Sequence, residues 1–412
     1  MRKILVKHPT GIVKGLIDLK GSKSISNRVL IIRSLCDKDF KIENLSPSDD
    51  TLVLLKALRF QQNEIDVHHA GTSMRFLTAL TATKAGEWIL SGSERMHQRP
   101  IGVLVNALKA LGADISYLKN EGYPPLSING KLLEGGLVNV SGNISSQFIS
   151  ALLLIAPTLE TGMILTIDGE LVSKPYIEMT LSIMEEFGVD YVWEGETIVI
   201  PPKEYIADDY FVESDWSGAS YLLQMAGLSK SSRLMVSDLS SESLQGDSQS
   251  VKLFKELGVS CIYAGYTLVV DKEKTITEED YQADCIECPD LAQTLVATCA
   301  GLKKNATFTG LQTLAIKETD RTQALANELQ KVNCLFWGEG GDWYLNAEEF
   351  GTDEIPTFST YNDHRMAMAF APLALKLPQG VIIEDPDVVK KSYPTFWSDL
   401  NKLGFEISEL EA

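Results

Sequence analysis

Cysteine and histidine are scarce in this chain, with six and five respectively among 412 residues. Cysteines at 36, 261, 285, 288, 299 and 334 are too few and too scattered for a disulfide scaffold. Cys285 and Cys288 have CxxC spacing, but no second pair or nearby histidine follows, and the nearest downstream histidine is His364. They are read as ordinary strand or loop thiols, and no metal site is expected. Long apolar runs are also missing. No stretch of 18 apolar residues exists to span a membrane, and the opening MRKILVKHPTG has too short an apolar run for a secretory leader. Positive charge is the third shortage: 37 Lys and Arg face 56 Asp and Glu, a formal net charge of −19. Nucleic acids and anionic membranes demand basic surface, so neither is an expected partner. A hydrophobic content of 44% supplies enough core to exclude disorder. The expectation is a soluble, acidic, cytoplasmic protein of two or three domains.

What the chain does contain is a repeat. Six segments open with Ser, Thr, Gly or Asp ahead of small and apolar residues: GSKSISNR, AGTSMRFLTAL, SSQFISALLL, DWSGASYLLQM, PDLAQTLVATC and NDHRMAMAFAPLAL. Each is followed by a strand and then by a second amphipathic helix, as in ALKALGADI, IMEEFGVDY, LFKELGVSC and DLNKLGFEI. In five segments the distance from the opening to the glycine position of the second helix is 41 to 43 residues, too regular for accident. Leu-Gly at a helix end predicts a left-handed cap, and the residues after it alternate as strands do. Six units divide into two domains of three, with 201–215 as a crossing segment. The first twenty residues contain no helix signal and fit either domain.

The scarce cations are gathered at these openings. Of ten arginines, Arg28, Arg75, Arg99, Arg321 and Arg365 fall in or beside them, as do Lys23, Lys174, Lys317 and Lys391. Helix N-termini already favour anions, so a cation there is unfavourable unless a bound anion balances it. Two repeat domains face to face would form a cationic cleft inside an acidic protein. KETDR places Lys317 and Arg321 four apart, on one face if helical. YNDHR sets Asp363 and His364 beside Arg365. Asp290 stands equally well as a helix cap or as a chemical group.

Nine ordered motifs now carry a resemblance: GSKSISNR, AGTSMRFLTA, ERMHQRPIGVLV, SSQF, LVSKPYIEMTL, LQGD, IKETDR, YNDHRMAMAF and KKSYPTFW. Running from about Lys20 to Phe396, they resemble the 5-enolpyruvylshikimate-3-phosphate synthase family. The resemblance implies an α/β fold, a two-domain inverse α/β barrel with three βαβαββ repeats per domain. It sets residues 17–214 as the N-terminal domain and 1–16 plus 215–412 as the C-terminal domain, with the active site in the cleft between them. It also implies that the N-terminal strand belongs with the C-terminal domain. The implied reaction joins shikimate 3-phosphate to phosphoenolpyruvate and releases phosphate, on the way to chorismate and the aromatic amino acids. It implies no cofactor, no metal and a monomer.

By motif, the resemblance implies that Lys23, Ser24, Arg28, Ser145, Ser146, Gln147, Ser173, Tyr176, Asp290, Thr313 and Lys317 contact shikimate 3-phosphate. Lys23, Gly71, Arg99, Gln147, Arg321, Arg365 and Lys391 are implied for phosphoenolpyruvate, whose carboxylate and phosphate suit bidentate guanidiniums. Asp290 is implied as the group that takes the hydroxyl proton, and Glu318 as the donor to C3 with Lys23 assisting. Three motifs depart from the pattern. His68 and His69 precede Ala70-Gly71-Thr72 where glycine and asparagine are common, Phe76 replaces a frequent proline, and Thr313 replaces an asparagine. These changes bear on substrate affinity and herbicide sensitivity, not on the reaction class. Two rivals are an enolpyruvyl transferase acting on UDP-N-acetylglucosamine and a non-catalytic anion-binding relative. The first uses a loop cysteine before the Arg99-Pro100 position, and this chain has none between Cys36 and Cys261. The second should have lost Asp290, Glu318 or the cations, and all are present.

Overall fold

The structure is a computed structural model that describes residues 2–143, 145–169, 171–273 and 279–410. The chain divides into two compact units, 21–212 and 1–20 with 213–412. The first crossing therefore lies after Lys20 rather than after residue 16. The strand Ile12–Ile17 is paired along its whole length with Ser231–Val236, and Leu19 is buried in the same core. The second crossing precedes Glu213 rather than residue 215. The Glu213 carboxylate accepts from Trp216 Nε1 and Ser240 N, and Ser214 Oγ donates to Leu19 O at 2.6 Å.

Unit 21–212 has six α-helices among its described residues: α1 (Lys23–Leu35), α2 (Asp49–Ala57), α3 (Gly71–Thr83), α4 (Gly102–Ala110), α5 (Ser146–Ile155) and α6 (Lys174–Glu186). One sheet runs Glu64–Asp66, Gly86–Ser91, Leu126–Gly130, Asp114–Tyr117. The other runs Gly136–Ser141, Met163–Asp168, Thr197–Ile200, Val192–Glu194. In both, the first two strands are parallel and joined through a helix, and the last two form an antiparallel hairpin. The first repeat is shortened: among the described residues Ile42–Glu43 pairs only with Tyr210–Phe211, in parallel, and this pair is a two-stranded sheet.

The other unit contains α7 (Trp216–Leu228), α8 (Ser250–Lys255), α9 (Ala292–Gly301), α10 (Arg321–Leu329), α11 (His364–Phe370) and α12 (Phe396–Lys402). Its three four-stranded sheets repeat the same order. In the last of them the N-terminal strand Lys3–Lys7 supplies the inner hairpin position, between Val381–Glu384 and Glu406–Leu410.

The opening helix of a repeat is the buried one. Every residue of α9 and α11 is buried, as are nearly all of α3, α5 and α7. Small residues such as Ala297, Ala300, Ala367 and Ala369 let these helices lie inside the sheets rather than on them. The second helices are amphipathic and end as their sequence foretells. Gly112 has φ 98° and Asn333 φ 56°, and Gly188, Gly258 and Gly404 are left-handed too. No helix among the described residues is long and apolar enough to cross a membrane.

Candidate active site

In unit 21–212 the helix N-termini carry the expected residues. Ser22 caps α1, and the next residue, Lys23, reaches Asp50 Oδ2 at 3.3 Å. Asp50 is buried at the start of α2 and its Oδ1 has no partner. Arg28 lies one turn further along α1 and is itself buried. Its guanidinium donates to Thr180 Oγ1 at 2.7 Å, Ser24 O at 2.8 Å, Ser150 Oγ at 2.9 Å and Tyr176 O at 3.1 Å. Burial pulls Arg28 down to about 10, which still leaves it charged at neutral pH. Phe76, one of the departures, is buried with its ring 5.6 Å from the Arg28 guanidinium.

The N-terminus of α3 is shaped for Arg99. A Cβ on Gly71 would stand 2.4 Å from Arg99 Nη1, so the guanidinium occupies the space a side chain would fill. Arg75 ties these pieces together, donating to Gly71 O at 3.2 Å and Pro100 O at 2.9 Å. Ser145 caps α5, and Gln147 Nε2 donates to Thr72 Oγ1 at 3.2 Å while its buried Oε1 has no partner. Ser146 is buried, and Ser173 precedes α6 in the left-handed region with φ 57°. His68 and His69 are exposed, and His68 pairs with Asp66 at 3.4 Å. Lys174 pairs with Glu178 at 2.8 Å and lies over the Trp193 ring.

The other unit gathers cations and acids into one network. Arg321, first residue of α10 and almost wholly buried, donates Nε to Asp363 at 2.8 Å. It also donates Nη1 to Asp290 and Nη2 to Glu318, each at 3.0 Å. Lys391 donates to the other oxygen of Glu318 at 2.7 Å. Arg365 donates to Asp290 Oδ2 at 2.8 Å, and Lys317 lies 3.8 Å from Oδ1. Burial opposes the charge on Arg321, but Asp363, Glu318 and Asp290 outweigh it and hold the guanidinium above its ordinary value. Burial lowers Lys317, with Asp290 resisting.

The network settles two points. Asp290 is not a helix cap: it lies in the turn Pro289–Leu291 ahead of α9, and its carboxylate holds Arg321 and Arg365. Lys317 and Arg321 do not share a helix face, because Lys317 is extended and α10 starts at Arg321. A shared acid brings them together instead. Thr313 is half-buried at the start of the turn that leads to Lys317. Asp50, Thr72, Ser217 and Asp247 also join these networks without having been expected there. For Asp50 and Asp247 the available signal was an acid at the mouth of a helix, in SPSDD and LQGD. Cys285 and Cys288 are buried, and no group of His, Cys, Asp or Glu among the described residues is arranged to hold a metal.

Fold and site together define a repeat-built α/β protein whose helix N-termini carry clustered cations and acids suited to small anions. The family model for EPSP synthase (3-phosphoshikimate 1-carboxyvinyltransferase) matches residues 7–64 and 59–400. A protein of Bacteroides fragilis named 3-phosphoshikimate 1-carboxyvinyltransferase is 46% identical over 399 residues, covering 96% of each chain. One of the same name from Aliivibrio fischeri is 37% identical, covering 97% of this chain and 99% of its own. The solved EPSP synthase of Acinetobacter baumannii shares the fold, with TM-score 0.80 at 20% identity over 99% of this chain and 100% of that one. The chain belongs to the EPSP synthase family.

Proposed function

We propose that the chain transfers the enolpyruvyl group of phosphoenolpyruvate to the 5-hydroxyl of shikimate 3-phosphate and releases inorganic phosphate. Among the contacts in the site, the binding of Asp290 and Glu318 to one guanidinium, Arg321, carries this reading furthest. An addition to a vinyl phosphate needs a base for the attacking hydroxyl and an acid for C3. Two carboxyl groups on a common cation stand as a pair whose roles substrate can separate.

In this reading Asp290 takes the 5-hydroxyl proton as the oxygen bonds to C2, and Glu318 gives a proton to C3. The tetrahedral intermediate then expels phosphate and loses a proton from C3 to restore the double bond. Lys23, Arg99, Arg321, Arg365 and Lys391, with Gly71 and Gln147, bind phosphoenolpyruvate. Ser24, Arg28, Ser145, Ser146, Gln147, Ser173, Tyr176, Thr313 and Lys317 bind shikimate 3-phosphate, so both units serve one reaction. When phosphoenolpyruvate engages Arg321 and Lys391, Glu318 loses two counter-ions and gains an anionic neighbour. Both changes favour the protonated acid that the step requires. A monomer in the cytoplasm completes the proposal.

Phosphate release is the test. Shikimate 3-phosphate with phosphoenolpyruvate should yield stoichiometric phosphate and the enolpyruvyl ether. Release only with UDP-N-acetylglucosamine, or none with either acceptor, contradicts the proposal.

A further inference from the structure

Asp247 is a carboxyl group the reaction above does not use. It lies in the turn Gly246–Gln249 and is 3% exposed. Ser217, in the first turn of α7, donates its hydroxyl to Asp247 Oδ2, while Oδ1 is buried without a partner. Arg365 Nη2 donates to Ser217 Oγ at 3.5 Å and to Asp290 Oδ2 at 2.8 Å. A continuous path thus runs from Asp247 through Ser217 and Arg365 to Asp290.

We propose that Asp247 is a positioning residue that acts through Ser217 on Arg365, and that it holds a proton so that the charge of Arg365 stays available to phosphoenolpyruvate. The proposal rests on the reading of Arg365 as a phosphoenolpyruvate contact. A buried carboxylate with one hydrogen bond and one unpartnered oxygen is poorly solvated, so the neutral acid is favoured. The groups facing it agree. Asp290 and the α7 cap Asp215 are acids, Arg365 is the opposing cation, Ser217 is the hydrogen-bond donor, and Cys288 is a thiol that its hydrogen bond with Cys285 and burial hold neutral. On α8, packed against this turn, Lys252 and Lys255 are exposed. Burial first, then Asp290, push Asp247 up to about 7. Once ionised, Asp247 tightens its hold on the Ser217 hydroxyl and adds a negative charge beside Arg365, which weakens the hold on an anionic substrate.

Asp247→Asn fixes the neutral state. The ratio of KM for phosphoenolpyruvate, parent over variant, should stay near one at pH 6 and rise several-fold by pH 8.5, with kcat changed little. The ionisation of the substrate cancels in this ratio. Ser217→Ala, a milder change, removes the bond that supports ionised Asp247, so its own KM should climb only at higher pH than that of the parent and the same ratio should rise here too. Infrared difference spectra of the ligand-free protein should show a protonated carboxyl band near pH 6 that is absent from Asp247→Asn. A ratio constant across pH in both variants, or no such band, overturns the proposal. Arg365→Gln separates the two readings. Unchanged phosphoenolpyruvate affinity there would remove the assigned role of Arg365, while the band would still report the proton on Asp247.

Discussion

A guanidinium carries five N–H donors in a planar fork, and Arg321 directs its own at Asp290, Glu318 and Asp363. Its neighbours differ in what they do next. Glu318 lies between Arg321 and Lys391, so the amide in Glu318→Gln keeps the shape and deletes the proposed proton donor. That variant should lose about 100-fold or more in kcat, while calorimetry finds shikimate 3-phosphate binding within about threefold of the parent. Gly71→Ala acts on the other unit. The new methyl displaces only the far end of Arg99, so thermal melting should barely move while KM for phosphoenolpyruvate rises several-fold. At this scale the sequence was legible in identity but not in partnership. Lys317, Arg321, Arg365 and Asp290 stood out as motif residues, yet that one acid organises three cations depends on turns far apart in the chain. Arg28 stood out as a substrate contact, and the structure adds that most of its donors already hold α1 to α5 and α6.

Among the elements, the openings of α10 and α11 show how capping and chemistry share residues. Asp363 accepts from the Arg365 backbone N–H at 2.9 Å as the cap of α11, and from Arg321 Nε at 2.8 Å. It is fully buried, so Asp363→Ala leaves Arg321 short of a partner in a dry site and removes a cap as well. Denaturant titration should record a loss of about 3–5 kcal/mol, the range for breaking a buried ion pair. Asp363→Asn should recover part of it. The repeat itself was legible because its signals are local: polar openings, a 3.6-residue apolar stripe and Leu-Gly stops that bury or cap within one helix. The shortened first repeat was not, since whether Ile42–Glu43 finds strand partners depends on the segment at 210–211. Nor was the break between Lys317 and Arg321, because four-residue spacing places two side chains together only if the helix has already begun.

For the whole molecule, sheet order was the least legible feature. The residues of the strand Lys3–Lys7 fit either domain and only the family resemblance joined it to the second, where it pairs with residues near the far end of the chain, Leu5 opposite Ser408 and Ile382. Long-range pairing leaves little local trace beyond an alternating pattern. Removing residues 1–7 should therefore unfold the unit containing 213–412 and abolish turnover, checked by amide exchange across Val381–Glu384 and Glu406–Leu410. The net charge of −19 acts on the same scale. It repels anionic substrates at long range while the clustered cations attract them at contact. Raising salt from about 10 to 150 mM shortens the screening length from about 30 to 8 Å, so kcat/KM should first rise and then fall as contact pairs weaken.

The central proposed step is protonation of C3 by a carboxyl acid followed by loss of a C3 proton. Turnover in deuterium oxide tests it directly. Proton and deuterium NMR of the enolpyruvyl product should show deuterium at C3, and Glu318→Gln should slow both exchange and product formation by about 100-fold or more. Product formed at normal rate with no deuterium at C3 would contradict the mechanism.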